Sequence, residues 1–182
     1  MRNKVIAVVM LALFLVSIGL ASLTTGTDRV VVAGLSLSVP QYWEGGPRSD
    51  RLASFFQTLA TFHPHNDERY RLDVGALRFN TEVTPDAAFQ HVQRILRFER
   101  TKTQPNQIHV GNLVGWEDRF SVVSRSHLSM HMVAVVTDNG RDYWMIRLNK
   151  IIHLSQVGQR PPYPRALFNR IVQSARHERR RT

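Results

Sequence analysis

The chain contains no cysteine, and that absence closes several routes. No disulfide can staple the fold, no thiol can act as a nucleophile, and neither an iron–sulfur cluster nor a cysteine-ligated zinc can form. Lipid attachment through an N-terminal cysteine is excluded as well. Lysine is nearly missing, present only at positions 4, 102 and 150, and the 14 acidic residues are outnumbered by 24 basic ones, for a net charge of +10. A phosphate-cradling glycine loop is also absent, because Gly45-Gly46 runs into Pro47 with no lysine after it. Ser121, Ser124, Ser126 and Ser129 lie near histidines in sequence, yet none sits in the glycine-framed elbow that exposes a hydrolase nucleophile. Glu117 and Asp118 are adjacent on a strand-like segment, so they point to opposite faces and cannot act as a paired acid and base.

What the chain does have begins at its start. Arg2 and Lys4 precede an uncharged, mostly apolar run over residues 5–23. Cations ahead of such a run mark a segment handed to a membrane translocon, with the N-terminus in the cytoplasm and the rest exported. Two outcomes stay open for residues 1–23. Gly19-Leu20-Ala21 places small residues where a signal peptidase cuts, which would release a periplasmic or secreted protein. The full run, at ~1.5 Å rise per residue, nearly spans a ~30 Å hydrocarbon core, which would leave the domain anchored at the inner membrane.

Removing Arg2 and Lys4 leaves 22 basic against the same 14 acidic residues, a net of +8. Such a surface is drawn to anionic lipid, acidic cell-wall polymer or nucleic acid, and export makes nucleic acid the poorest fit. Roughly 155 residues follow the segment, one domain that buries an adequate core without staples. The boundaries read as a polar linker over 24–28, a domain over 29–178, and a basic tail over 179–182. The arginine-rich block from Arg176 to Arg181 reads as a frayed, solvated end.

Within the domain, 29–39 reads as one strand, with Leu35, Leu37 and Val39 alternating with Ser36 and Ser38 until Pro40 stops it. Tyr42 and Trp43 lie in a following loop and are expected to pack back onto the sheet. Residues 51–62 fit helix and strand equally: Leu52, Phe55, Phe56, Leu59 and Phe62 have helical spacing in a β-rich neighbourhood. After a break at His63-Pro64-His65-Asn66-Asp67, residues 70–79 form a strand with a bulge at Gly75. Thr84-Pro85-Asp86 starts a helix that runs to about residue 98: threonine caps, proline suits the first turn, and aspartate meets the positive end of the dipole. Ala88, Phe89, Val92, Ile95 and Leu96 form its apolar stripe, opposite Gln90, His91, Gln93, Arg94 and Arg97.

A meander follows, 108–114, 117–124, 128–136 and 143–148, broken at Gly115, at Arg125-Ser126 and at the hairpin turn Asp138-Asn139-Gly140. Trp144, Ile146 and Leu148 share one face of its last strand. A closing helix stacks Leu167, Phe168, Ile171, Val172 and Ala175. The fold class is α+β: an antiparallel sheet of five to seven strands flanked by two amphipathic helices, behind an N-terminal hydrophobic segment.

The stretch Ala33-Gly34-Leu35-Ser36-Leu37-Ser38-Val39-Pro40, closing on Tyr42-Trp43, resembles the "G-x-x-F-x-x-P-x-x-W" opening of the Mog1/PsbP-like superfamily. Phe168-Asn169-Arg170-Ile171-Val172-Gln173-Ser174 is similar to its "F-x-x-I-x-x-S" ending, and the order of elements over 29–177 is similar too. The resemblance implies a central antiparallel sheet with helices on both sides, in small and often exported proteins that bind partners and are not catalysts. It assigns no catalytic and no cofactor-binding residue.

Two histidine groups are the metal candidates. His63-x-His65 with Asp67 offers imidazole and carboxylate, though Pro64 between them favours a surface loop. In His127-Leu128-Ser129-Met130-His131-Met132, His127, Ser129 and His131 share one strand face and Met130 and Met132 the other. Methionine and imidazole suit Cu(I), but donors on opposite faces cannot close one site, so core methionines with outward histidines fit better. The sequence therefore describes a non-catalytic envelope protein that binds a protein partner or an anionic surface. A small envelope hydrolase or a copper- or zinc-handling protein is the alternative.

Overall fold

The structure, a computed structural model, describes residues 26–53, 56–79, 81–96, 105–138, 140–156 and 164–178. The expected membrane segment 1–23 and the tail 179–182 lie outside them. Among the described residues no helix is long and apolar enough to cross a membrane. In chain order the elements are β1 (Thr27–Val32), β2 (Leu35–Pro40), β3 (Trp43–Ala53), β4 (Phe56–Pro64), β5 (Tyr70–Arg78), α1 (Pro85–Leu96), β6 (Asn106–Val110), β7 (Leu113–Val123), β8 (His127–Thr137), β9 (Asp142–His153), α2 (Arg165–Gln173) and β10 (Arg176–His177). Seven strands form one antiparallel sheet in the order β3-β4-β5-β9-β8-β7-β6, and β1-β2-β10 form a second.

The central strands are buried on both faces, which is why residues 132–136 read as a continuous apolar run. On one face Met132, Ala134, Val136, Trp144, Ile146 and Leu148 meet Leu35, Leu37 and Val39 of the small sheet and Phe168, Ile171 and Val172 of α2. On the other, Val133, Val135, Tyr143, Met145 and Leu77 receive Ala88, Phe89 and Val92 of α1. The start of α1 follows its capping chemistry, with the Ala87 N–H donating to Thr84 Oγ1 at 3.3 Å. The helix is described to Leu96; its expected last residues fall beyond that, and the Ile95 side chain lies outside the description.

Several expectations are corrected. The strand expected over 29–39 is a hairpin: Val32 pairs with Leu35 across a two-residue turn in which Ala33 (φ 49°) and Gly34 (φ 82°) are both left-handed. Val30, Val31 and Val32 are apolar at every position and so mask the change of phase at the turn, and alanine is a poor turn residue, so the sequence hid it. Thr27 and Asp28, assigned to the linker, pair with Pro40 and Val39. Of the two loop aromatics, Trp43 opens β3 and is buried, while Tyr42 is 56% exposed.

Residues 51–62 resolve as strand wherever they are described. β4 pairs with β5 through a shift between Thr58 and Ala60, so the bulge sits on β4 opposite Gly75 and not on β5. The extra residue breaks the period of two and mimics helical spacing. The chain turns at Gly111-Asn112, where Gly111 has φ 62°, and not at Gly115. Gly115 lies inside β7 because a Cβ there would stand 1.9 Å from the Val135 carbonyl oxygen, whereas one at Gly46 would meet nothing within 4 Å. Gly115→Ala is therefore expected to cost about 1–3 kcal/mol through overpacking. Gly46→Ala, measured by the same urea titration, is the control that stays near wild type.

The C-terminal block is not wholly frayed. Arg176 and His177 pair with Ser36 and Leu35, and the Glu178 N–H donates to the Gly34 carbonyl at 2.8 Å. The His177 ring contacts the Asp138 carboxylate, and Glu178 meets Arg29 at 3.1 Å. Short-range charge reading could not anticipate a two-residue strand completing the small sheet.

Candidate functional site

α1 covers only part of its face of the large sheet. Further along that face, strand register lines up Arg71, Asn149, His131 and Phe120 in one row across β5, β9, β8 and β7. The next row sets Thr61 against Asp73 and Asp73 against Arg147. Paired residues of antiparallel strands project to the same side, so these polar side chains converge.

Asp73 organises the group. Its carboxylate, 1% exposed, accepts Thr61 Oγ1 at 3.0 Å and Arg71 Nε at 2.7 Å on one oxygen. The other oxygen accepts Arg147 Nε at 3.1 Å and Nη2 at 2.5 Å. Burial alone would raise its pKa, but the charges and hydrogen bonds of Arg147 and Arg71 together outweigh it and hold the carboxyl below its ordinary value. Around Asp73 itself two guanidinium groups meet one carboxylate, and the same row continues through Val133 to Asp118, a second buried carboxylate. The nitrogens not spent on Asp73 are the Arg71 terminal pair and Arg147 Nη1.

His131 adds a neutral ring. Burial and the neighbouring Arg147 charge push its pKa down to about 4, only partly offset by Asp73. It stacks on Phe120 with centroids 4.5 Å apart, and among the described residues its Nδ1 and Asn149 Oδ1 are buried without a partner. An imidazole with so low a pKa is a weak proton acceptor at neutral pH, which argues against general-base chemistry. The arrangement instead presents oriented guanidinium donors, suited to a carboxylate or phosphoryl group.

The residues singled out by sequence are placed differently. His63 directs Nδ1 to the Pro64 carbonyl at 3.2 Å, and His65 contacts the Glu44 carboxylate. Asp67 is taken by Arg69, at 2.7 Å to each oxygen, so this trio does not converge. Met130 and Met132 are buried on the face opposite His127 and His131, as the alternation predicts. His127 and His131 do not meet: His131 packs on Phe120, and His127 lies against His153. Among the described residues no three His, Asp or Glu form a group able to hold a metal ion.

Ser126 Oγ is 2.7 Å from His127 Nδ1, a nucleophile-to-base contact with no carboxylate found orienting the ring among the described residues. Glu117 and Asp118 alternate across β7, with Asp118 buried and bonded to the Arg119 N–H at 2.7 Å. A cleft of about 430 Å³ opens between β1 and the β3–β4 edge, lined by Val30, Val31, Ala60 and Phe62 with Gly45 and Gly46. Its walls are aliphatic, aromatic or glycine, so they supply no acid, base or nucleophile.

The residues carrying the superfamily resemblance have structural work to do. Leu37, Trp43, Phe168 and Ile171 are core, and Ser174 Oγ accepts the Ser38 N–H at 2.8 Å while donating to the Ile171 carbonyl at 2.6 Å. No protein-family model matches the chain, and no curated protein matches it. Among solved structures, a protein of Bacteroides thetaiotaomicron VPI-5482 shares the fold with a TM-score of 0.55 at 10% identity. The alignment covers 86% of this chain and 50% of that one, so the chain spans half the length of that protein. LpqN, described as involved in cell envelope biogenesis of Mycobacterium tuberculosis, aligns over 82% of this chain and 89% of its own, with 15% identity and a TM-score of 0.47.

Proposed function

We propose that this chain is a non-catalytic cell-envelope protein of Mog1/PsbP-like architecture, exported or tethered by residues 1–23, that binds an anionic group on a protein partner or envelope surface. The observation that carries this reading is the Asp73-centred arginine pair on the sheet face beyond α1. A buried carboxylate fixes two guanidinium groups at little entropic cost on binding, and the Arg71 side chain, 47% exposed, remains accessible to a ligand. The address rests on Arg2, Lys4 and the apolar run that follows them. The net charge of +8 that remains without Arg2 and Lys4 adds long-range attraction toward anionic material outside the cytoplasm.

The test is titration of the detergent-purified full chain with polyglutamate and with a glycerol-phosphate polymer. Arg71 is the residue to change, since its side chain is 47% exposed and Arg147 still holds Asp73 without it. Arg71→Gln is expected to weaken binding about tenfold, the loss of one charge-assisted contact. Raising ionic strength from about 0.01 M to about 0.15 M, which shortens the screening length from ~30 Å to ~8 Å, should weaken it further. Binding that ignores both salt and Arg71→Gln would refute the reading.

A further inference from the structure

The register of β8 against β9 sets His127 directly opposite His153. Their rings meet at nearly a right angle, 82°, with centroids 4.9 Å apart. The strand ends bearing them are tied: the Ser124 N–H donates to the His127 carbonyl at 2.9 Å, and the Leu154 N–H to the Ser126 carbonyl at 2.8 Å. Each ring also has its Nδ1 beside a serine hydroxyl, Ser126 Oγ at 2.7 Å for His127 and Ser155 Oγ at 2.7 Å for His153. A hydroxyl that accepts from Nδ1–H leaves the Nε2 lone pair for a ligand, the way an outer hydrogen bond sets the tautomer of a metal-bound histidine. The Ser155 N–H also approaches His153 Nδ1, at 3.4 Å, a long contact that this tautomer gives up.

We propose that His127 and His153 form a two-histidine site for a borderline divalent cation, Cu²⁺ or Zn²⁺, bound through both Nε2 atoms. Directly opposed residues have Cβ atoms ~4.5–5.5 Å apart, a span that two imidazoles close around one ion at ~2.0–2.1 Å per bond. Imidazole without thiolate or a carboxylate cage selects these metals over calcium and magnesium. His127 is partly exposed and His153 exposed, so the ion has a path in. Arg125, exposed in the connecting turn, opposes the charge and weakens the site. With no third His, Asp or Glu grouped there among the described residues, the remaining coordination positions fall to solvent or to a donor from a partner. The bound ion is therefore exchangeable and not a structural staple.

The experiment titrates the metal-free full chain with Cu²⁺ alone, followed by electron paramagnetic resonance, and with Zn²⁺ alone, followed by calorimetry. One equivalent should bind, with hyperfine structure from two imidazole nitrogens. His127→Ala and His153→Ala should each abolish that equivalent, and the Ser126→Ala/Ser155→Ala variant should weaken it about tenfold. His131→Ala and His63→Ala/His65→Ala should leave it intact. The proposal falls if the wild-type chain takes up no stoichiometric ion, or if the His127→Ala/His153→Ala variant binds as the wild type does. Neither result bears on the arginine face, which is read out with anionic polymers.

Discussion

Asp73→Asn is expected to destabilise the fold by about 3 kcal/mol, the scale for removing one partner of a buried ion pair. In a chain of this length that is a fall of roughly 6–12 °C in melting temperature. Asparagine preserves the volume but not the charge, and the Arg147 side chain, 20% exposed, is left with a guanidinium that water only partly reaches. Acid titration separates this effect from mere packing. His131 has its pKa lowered from 6.5 to about 4, so between those values the unfolded chain takes up a proton that the folded one refuses, and stability falls as pH drops. Asp73 is held below its ordinary 3.8, so its contribution is fully present above that value and is lost as pH falls below it. The variant should show the first stage and a shallower second one. Overlapping acid limbs for variant and wild type would show that the Asp73 ion pairs contribute nothing.

Trp144→Ala is expected to cost about 3–5 kcal/mol. The ring is 1% exposed and lies between the two sheets, where Nε1 donates to the Ala33 carbonyl at 3.1 Å. It also lies 4.9 Å from the His177 ring, so one side chain supports the β1–β2 turn and β10 together. Loss of the indole leaves a cavity and frees that turn at once. Urea unfolding gives the energy, and amide exchange gives the location, with β1 and β2 losing protection ahead of β8 and β9. Trp144→Phe, which mainly forfeits the hydrogen bond, should cost nearer 1 kcal/mol. A loss below that for alanine would mean that the small sheet is held by something other than this contact.

Local chemistry was legible in the sequence and pairing was not. Thr84-Pro85-Asp86 announced α1 because a cap is decided within four residues, and the Met130/Met132 and Trp144/Ile146/Leu148 faces followed from alternation alone. The Ala33-Gly34 turn was hidden because the unbroken apolar run Val30-Val31-Val32 before it masks the change of phase to Leu35, Leu37 and Val39. The arginine face was half visible: Arg71-x-Asp73, Arg147-x-Asn149 and Ser129-x-His131 each place two polar side chains on one face of an otherwise buried strand. Three such interruptions in core strands are a signal that was present but unaligned, since Asp73 and Arg147 lie 74 positions apart and only register joins them. His153 is hidden for the same reason: it meets His127 across the ladder, where spacing along one strand carries no information.

The small sheet also gives the domain a direction. β1 and β10 flank β2 and both run antiparallel to it, the chain entering beside Pro40 and leaving beside Gly34. Those exits are separated by about six residues of extended backbone, roughly 20 Å. That exceeds the ~8 Å over which exposed charges feel one another at physiological salt. The entry of the chain into β1 and its exit from β10 therefore open at opposite ends of β2, beyond the screened reach of one another.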